Sequence, residues 1–318
     1  MGRLSVREAL LIAVLLLVSA GKDLAATGHH DLLSLVPPGA RAVAKIGAQS
    51  HGLGNFVLIT HNNNIDLNDF QALTGADSTC LIHELILVAA AGDRGAPDEH
   101  SLLADGNFDG ERIFRSAVDG GAKITNYRGL HVLVVQPFAR ERREFNEIRW
   151  LAIPASGIVL FGSIVSVQQE LDRYMARRET DPNLVARLAR MRRDIDTWTV
   201  VSPIGWTAEI RSALASIEPR LADRLKDGDT LEFGIHYGRE VEFEYEVTAA
   251  SPAAAQTISE SLTQSLAGLE EKAAFVLPAG TVVEGNTAHG VVKVSKGRYN
   301  AWLAKVSARR QARSVASP

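Results

Sequence analysis

The hydrophobic and polar residues of the chain follow two different periods. Apolar and polar residues alternate through Thr230–Tyr237 and again through 241–247, on either side of a short polar turn, which is typical of a half-buried β-hairpin. Apolar residues at helical spacing instead predict a helix over 164–178, with Val165, Val167, Leu171 and Tyr174 available to face inward. Since both periods occur in one chain, the pattern predicts an α+β protein.

Turn residues divide the rest of the chain into short elements. Strands are predicted at 40–46, 81–91, 101–108, 123–127, 130–136, 149–154, 157–162, 198–203, 281–284 and 290–294. Helices are predicted at 52–60, 110–118, 184–191, 206–225, 253–269 and 297–306. A further short helix is predicted to begin after Asp66, which can cap its first turn. We expect strands 81–91, 101–108 and 130–136 to share one sheet, and Thr230–Tyr237 to pair antiparallel with 241–247.

The element order of the first half recurs in the second. A short hairpin follows an amphipathic helix at 121–134 and again at 280–294. We therefore predict an α+β fold with two similar units, each an antiparallel sheet covered by helices. The first unit covers 32–195 and the second 196–307, and a flexible basic tail follows at 308–318.

The hairpin at 230–247 carries glutamates that alternate with apolar residues. Phe243 and Tyr245 are expected to face the core of the second unit. The glutamates are expected to form the solvated face of a half-buried hairpin, and they are Glu232, Glu242, Glu244 and Glu246.

A short apolar run opens the chain. Arg3 and Arg7 precede the run at 9–18, and small residues follow at 19–21, which is typical of a secretory signal peptide. The run is shorter than the roughly 18 apolar residues of a spanning helix, and an uncleaved membrane anchor is the alternative. Cleavage is expected after Ala20 or after Ala26. We therefore expect a periplasmic or secreted protein with no membrane span after leader removal.

Composition describes an ordinary globular protein. Of 318 residues, 46% are hydrophobic and 22% charged, which argues against wholesale disorder. Removing 1–20 takes Arg3, Arg7 and Glu8 from 34 basic and 37 acidic residues, so the mature net charge is −4. A weakly acidic chain gives no general reason to bind nucleic acid.

Cys80 is the single cysteine, so no internal disulfide forms, and we expect its thiol to be buried.

Three short segments carry a resemblance to other proteins. Residues 32–40, 106–109 and 127–129 resemble segments of uncharacterised exported α+β proteins of soil bacteria, acidobacteria-like in character. These segments read Leu-Leu-Ser-Leu-Val-Pro-Pro-Gly-Ala, Gly-Asn-Phe-Asp and Tyr-Arg-Gly, and they are turns and caps. The resemblance spans most of the mature chain, and it implies no activity and no catalytic residue.

Metal binding at the N-terminus depends on the cleavage point. Cutting after Ala26 would leave Thr27-Gly28-His29, whose amine, backbone nitrogens and imidazole can form a square-planar site for Cu(II) or Ni(II). Cutting after Ala20 abolishes that site, and a solvated segment around His29 and His30 is the alternative. The other histidines lack the paired spacing of a zinc site, so we predict no catalytic or structural metal centre from them.

No motif in the sequence identifies a reaction. Nucleophile elbow, phosphate-loop and dinucleotide patterns are missing, so no catalytic residue and no cofactor are predicted. The oxygen-rich stretch 62–69 lacks the EF-hand glycine and glutamate, and a loop with a helix cap explains it equally well.

Basic side chains cluster at Arg140, Arg142 and Arg143 and again at Lys305, Arg309, Arg310 and Arg313. These clusters could contact anionic lipid, cell wall or an acidic partner, and a solvated terminus is the alternative for the second.

These observations favour an exported, non-enzymatic protein that acts through a binding surface. Its partner is an unknown protein, a cell-wall component or a small molecule, and not nucleic acid. One alternative is a secreted or periplasmic enzyme with a site between the two units. Another is a Cu/Ni-binding protein that uses His29. Converging His, Asp or Arg side chains in a deep cleft would favour the enzyme, and an exposed surface patch would favour the binding protein.

Export predicts a shortened mature chain. Mass spectrometry of the periplasmic or culture fraction should find an N-terminus at Gly21 or Thr27, because small residues follow the apolar run and directly precede both positions. A protein that keeps Met1 and stays in the cytosol would contradict export.

Overall fold

The computed structural model describes residues 31–47, 82–90, 99–119, 121–135, 148–191, 195–205, 224–273, 281–297 and 299. These residues contain four α-helices and twelve strands of antiparallel sheet, which confirms the α+β class. They fall into two compact units that divide between Arg190 and Met191. Within the described ranges, no helix is long and apolar enough to cross a membrane.

The first unit contains seven strands and three helices. The strands are β1 (Ala42–Gly47), β2 (Ile82–Ala90), β3 (Glu99–Gly106), β4 (Lys123–Tyr127), β5 (Leu130–Val135), β6 (Arg149–Ala155) and β7 (Ile158–Ser163). The helices are α1 (Gly110–Asp119), α2 (Ile164–Met175) and α3 (Pro182–Leu188), and a 3₁₀ turn at Leu32–Leu35 precedes them.

The strand order of this unit is β1-β2-β3-β7-β6-β5-β4. The predicted sharing of one sheet by 81–91, 101–108 and 130–136 is confirmed, with β7 and β6 lying between β3 and β5. Strands β4 and β5 are joined by Arg128 and Gly129, whose φ angles of 49° and 90° form a tight two-residue turn.

Helix α2 lies against the sheet of the first unit. Ser163 caps its first turn by accepting a hydrogen bond from the Ser166 amide at 3.1 Å. The side chains of Val167 and Leu171 are fully buried, while the sheet contributes buried Leu103 and Leu160 from β3 and β7. Helix α2 contacts β3, β6 and β7, so it covers the middle of this sheet.

The second unit contains five strands and one helix. These are β8 (Thr197–Val201), β9 (Thr230–Tyr237), β10 (Glu240–Thr248), α4 (Pro252–Ala273), β11 (Thr281–Glu284) and β12 (Thr287–Ser295). The strand order is β8-β9-β10-β12-β11. The predicted hairpin at 230–247 is confirmed, with Val241 opposite Tyr237 at the turn and Thr248 opposite Thr230 at the far end.

The two units share element order but not strand pairing. Hairpin, helix and hairpin follow one another in β2-β3-α1-β4-β5 and again in β9-β10-α4-β11-β12. In the second unit β10 pairs directly with β12, whereas in the first the β6–β7 hairpin lies between β3 and β5. The expectation of two similar sheets is therefore not met, because a hairpin later in the chain occupies the position between β3 and β5.

Several predicted features lie outside the described residues. They are the leader, the helix at 52–60 and the one capped by Asp66, Cys80, most of the helix at 206–225, the basic run at 140–143 and the tail at 308–318.

Gly162 sets how closely β3 and β7 approach each other. Ser101 lies directly opposite Gly162 in the register of these two strands. A Cβ added to Gly162 would lie 2.7 Å from the Ser101 Cα and would overlap the His100 carbonyl oxygen. Backbone atoms cannot move away as a flexible side chain would, so this position requires glycine.

Gly162→Ala should therefore destabilise the protein, by about 1–3 kcal/mol in the free energy of unfolding. Gly110→Ala is the matched control, because its Cβ would lie 3.5 Å from the Ile153 side chain, which is ordinary contact distance. Urea unfolding followed by circular dichroism measures both variants. Equal stability of the two variants would contradict the close strand approach.

Candidate binding face

Strand β10 contributes side chains to both faces of the sheet in the second unit. Val241, Phe243 and Val247 alternate with glutamates, and successive residues of a strand point to opposite faces. Phe243 and Tyr245 are 6% and 7% exposed, so their predicted inward orientation is confirmed. The opposite face carries the glutamates of β10 together with one each from β9 and β11. We call these residues the acidic face, and they are Glu232, Glu240, Glu242, Glu244, Glu246 and Glu284.

The strand register aligns the acidic face into rows. Glu246 lies opposite both Glu232 on β9 and His289 on β12. In another row, Glu242 lies opposite His236 on β9 and Lys293 on β12.

Three acid–base contacts lie on or beside this face. Lys293 Nζ lies 2.9 Å from Glu242 Oε1, and His289 Nε2 lies 3.5 Å from Glu244 Oε1. Nearby, Asp196 accepts a hydrogen bond from the Tyr237 amide at 2.7 Å, and His236 Nδ1 lies 3.2 Å from the same oxygen. The described strand residues of this face include six glutamates and one lysine.

Part of the acidic face is buried. Glu232 is 1% exposed and Glu244 is 7% exposed, so the prediction that these carboxylates face water is wrong. A Cβ on Gly234, the residue opposite Glu244, would lie 2.7 Å from Met191 Cε and 3.0 Å from Ile195 Cγ2. Met191 and Ile195 therefore cover the β9 side of the face.

Glu244 keeps one carboxylate oxygen without a hydrogen bond. Its side chain is 10% exposed, Oε1 faces His289, and among the described residues the buried Oε2 has no hydrogen-bond partner. A buried acceptor without a donor is costly, and such groups point to a ligand, an ion or a water that completes them.

The β12 side of the face remains open to solvent. The side chains of His289 and Lys293 are 41% and 50% exposed, and Val282 on β11 is 52% exposed. Glu240 and Glu284 are exposed at two of its borders. The acidic face is therefore a surface with a buried edge beside β9 and an accessible edge along β12 and β11.

The opposite face of the same sheet is an aromatic core. Tyr299 lies with its ring centroid 6.1 Å from that of Phe243, and the Tyr245 hydroxyl lies 2.7 Å from the Thr281 hydroxyl. Burial raises the pKa of both Tyr245 and Tyr299, so these phenols stay neutral. Gly290 makes room for the Tyr245 ring, which a Cβ at that position would overlap.

A second polar cluster lies in the first unit at an irregularity in β2. His83 lies at the register shift between Ile82 and Glu84. Its Nδ1 is 3.6 Å from Asp105 Oδ2, and its Nε2 is 3.4 Å from the Asn107 side-chain nitrogen. The contact with Asn107 is within hydrogen-bond distance, whereas the one with Asp105 is an ion-pair distance and longer than a hydrogen bond.

A third polar cluster is fully buried beneath α2. The Ser101 hydroxyl donates a hydrogen bond to Glu170 Oε1, and neither residue is exposed. Among the described residues, Glu170 Oε2 has no hydrogen-bond partner. Burial raises the pKa of Glu170 to about 8, so the carboxyl is mostly protonated at neutral pH. Sequence reasoning missed this group, although Glu170 lies three residues after Val167, on the buried stripe of the helix.

The predicted metal residues do not come together in the described part of the chain. His29, His51 and His61 lie outside it, so the N-terminal Cu/Ni site stays a prediction. His83 and His131 lie on β2 and β5, while His236 and His289 lie on the acidic face. Within the described ranges, no three His, Cys, Asp or Glu side chains are arranged to hold a metal ion.

Comparison with known proteins identifies the fold alone. No protein-family model and no curated protein matches the chain. Among solved structures, the chain is similar to crystal form I of TP0453, a protein of Treponema pallidum. The two chains are 14% identical, the match covers 87% of this chain and 98% of that chain, and the TM-score is 0.50. The likeness therefore extends over most of both chains and supports the α+β fold.

The buried Glu170 predicts a pH-dependent stability. Its folded-state pKa of about 8 lies above the ordinary value of 4.5, so the stabilisation is complete below pH 4.5 and is lost as the pH rises through 8. The free energy of unfolding should fall by about 3 kcal/mol between pH 4.5 and 7 from this group. Glu170→Gln, a neutral isostere, should remove that part of the pH dependence.

Urea unfolding at pH 5, 6, 7 and 8 measures the difference between the wild type and the variant. Glu179→Gln is the matched control, because Glu179 is exposed just beyond the end of α2. Parallel pH profiles for the wild type and Glu170→Gln would show that Glu170 is ionised in the folded protein.

Proposed function

We propose that this is an exported, non-enzymatic protein that binds a cationic ligand through its acidic face. The observation that carries the proposal is the buried carboxyl of Glu244, whose Oε2 has no hydrogen-bond partner among the described residues and which lies on a sheet face with five further glutamates. A surface whose charges share one sign attracts ligands of the opposite charge and speeds their association. The proposed ligand is a basic peptide segment or a polyamine.

The placement of the glutamates favours a ligand over a purely structural role. Glu246 and Glu232 lie directly opposite each other, so the ladder places carboxyl groups of two strands in one row. Glu244 keeps a buried oxygen that lacks a donor within the described residues. A cationic group with several N–H donors supplies the missing hydrogen bond.

The accessible edge of the face favours a ligand with apolar parts as well as charge. Val282 is 52% exposed between the charged side chains of β11 and β12. Lysine and arginine side chains carry aliphatic stems that cover such a surface while their charged ends reach carboxylates. A flexible basic peptide fits both features, because its side chains can reach several rows of the sheet.

Export is the second part of the proposal. It rests on the basic start, the short apolar run and the small residues at 19–21. In the periplasm or outside the cell, the partners of such a surface are basic segments of exported proteins, cationic cell-wall components and polyamines.

Pentalysine should bind the wild-type protein in a salt-sensitive manner. Isothermal titration at 20 mM and 300 mM salt measures the affinity, which should fall steeply at the higher salt because charges on the surface are screened. The double variant Glu242→Gln and Glu246→Gln should bind roughly tenfold more weakly, because two carboxylates of the central strand are lost.

The matched control is the double variant Glu111→Gln and Asp119→Asn on α1. It removes the same charge from exposed positions of the other unit. Equal weakening in both double variants would show that net charge alone governs binding, and it would contradict a specific acidic face. Pentaglutamate is the ligand control and should not bind.

A further inference from the structure

A position without a side chain lies next to Glu244 on the acidic face. Gly234 lies directly opposite Glu244 in the register of β9 and β10. The methyl group of Met191 occupies the place of the missing side chain, because a Cβ built on Gly234 would lie 2.7 Å from Met191 Cε. Residues opposite each other in a sheet have Cβ atoms about 5 Å apart. The Met191 methyl group therefore lies beside the Glu244 side chain, in a space that we call the Gly234 slot.

The walls of the Gly234 slot are apolar. Ile195 Cγ2 would lie 3.0 Å from the same Cβ, so Ile195 lines the slot together with Met191. Trp198 lies opposite Gly234 on β8 and points to the same face of the sheet. Trp198 is buried, whereas Met191 and Ile195 are partly exposed. The slot is therefore covered by two side chains that reach the protein surface.

Glu244 presents one unused acceptor to these apolar surroundings. Its Oε1 lies 3.5 Å from His289 Nε2, while Oε2 has no hydrogen-bond partner among the described residues. The side chain is nine-tenths buried, so a donor has to enter the protein to reach Oε2. Buried acceptors of this kind are completed by a ligand or a water.

We propose that the Gly234 slot admits a lysine-type side chain of the ligand, whose aliphatic stem displaces the Met191 methyl group and whose ammonium group donates to Glu244 Oε2. This inference rests on the proposed function and deepens it, since it names the cationic group that the acidic face selects. The selected group is a primary ammonium on an unbranched aliphatic stem, and not a guanidinium.

Shape and donor geometry favour an ammonium group over a guanidinium. Methionine and lysine side chains are both unbranched, so a lysine stem fits the space that the end of Met191 leaves. A guanidinium is planar and pairs best with both oxygens of a carboxylate, but Oε1 of Glu244 already faces His289. An ammonium is compact, and one of its three donors is sufficient for Oε2.

Displacement of the Met191 methyl group is compatible with the fold. The methionine side chain has several rotatable bonds, and that of Met191 is partly exposed, so its end can turn towards solvent. A lysine stem then covers the apolar walls that the methyl group covered before. The exchange therefore replaces one apolar contact by another and adds a charge-assisted hydrogen bond.

Two peptides of equal charge test the slot. By isothermal titration at 20 mM salt, the wild-type protein should bind pentalysine roughly tenfold more tightly than pentaarginine, because only an ammonium completes Glu244. Gly234→Ala should remove this preference, since the added Cβ fills the slot and mainly meets the flexible end of Met191. Glu244→Gln should remove it as well, because the acceptor loses its charge. Circular dichroism checks that both variants are folded, and either variant alone is sufficient for the test.

Truncation of the displaced side chain should have the opposite effect. Met191→Ala should bind pentalysine about threefold more tightly than the wild type, because no methyl group has to be displaced. Met175→Ala is the matched control, since Met175 is also a partly exposed methionine and ends α2 in the other unit. It should leave the pentalysine affinity close to that of the wild type.

The outcomes separate this inference from the proposed function. Equal affinity of the wild type for pentalysine and pentaarginine would overturn the inference and leave the proposed function standing. A lysine preference that persists in both Gly234→Ala and Glu244→Gln would place the contact elsewhere and would also overturn it. Failure of the wild type to bind either peptide would overturn the proposed function itself.

Discussion

The register of β10 between β9 and β12 is the constraint on which most of the second unit depends. It places Phe243, Tyr245 and Val247 on one face and the glutamates of the same strand on the other. A slip of one residue would exchange the two faces, since successive side chains alternate. The aromatic core then specifies the acidic face, because burial of Phe243 and Tyr245 holds the strand in the one register that aligns the carboxylates.

Each unit also contains a buried carboxyl group, and the burial of such a group disfavours folding. Glu170 beneath α2 is held neutral by burial and accepts a hydrogen bond from Ser101, in a layer where Gly162 lets the strands approach closely. Glu244 instead lies at the border of an accessible face and contacts His289 at 3.5 Å. The first arrangement makes stability depend on pH, whereas the second leaves an acceptor that a ligand can use.

Local signals in the sequence were sufficient for the individual elements. The hairpin at 230–247 follows from alternation around a short polar turn, and α2 begins at Ile164, where the helical spacing of apolar residues predicts its start. Strand order was not predictable, because the placement of β6 and β7 between β3 and β5 depends on pairing between residues far apart in the sequence. The acidic face was recognised as one face of a hairpin. Its burial was missed because Met191 and Ile195, 49 and 45 residues before the start of β10, cover it.

The central claim is that the acidic face is the binding surface. Backbone ¹⁵N–¹H spectra recorded during a pentalysine titration test it most directly. The account predicts shift changes confined to β9, β10, β11 and β12, largest at 242–246 and 287–293, and reversed by salt. Changes concentrated in the first unit, or spread evenly over all exposed carboxylates, would contradict it.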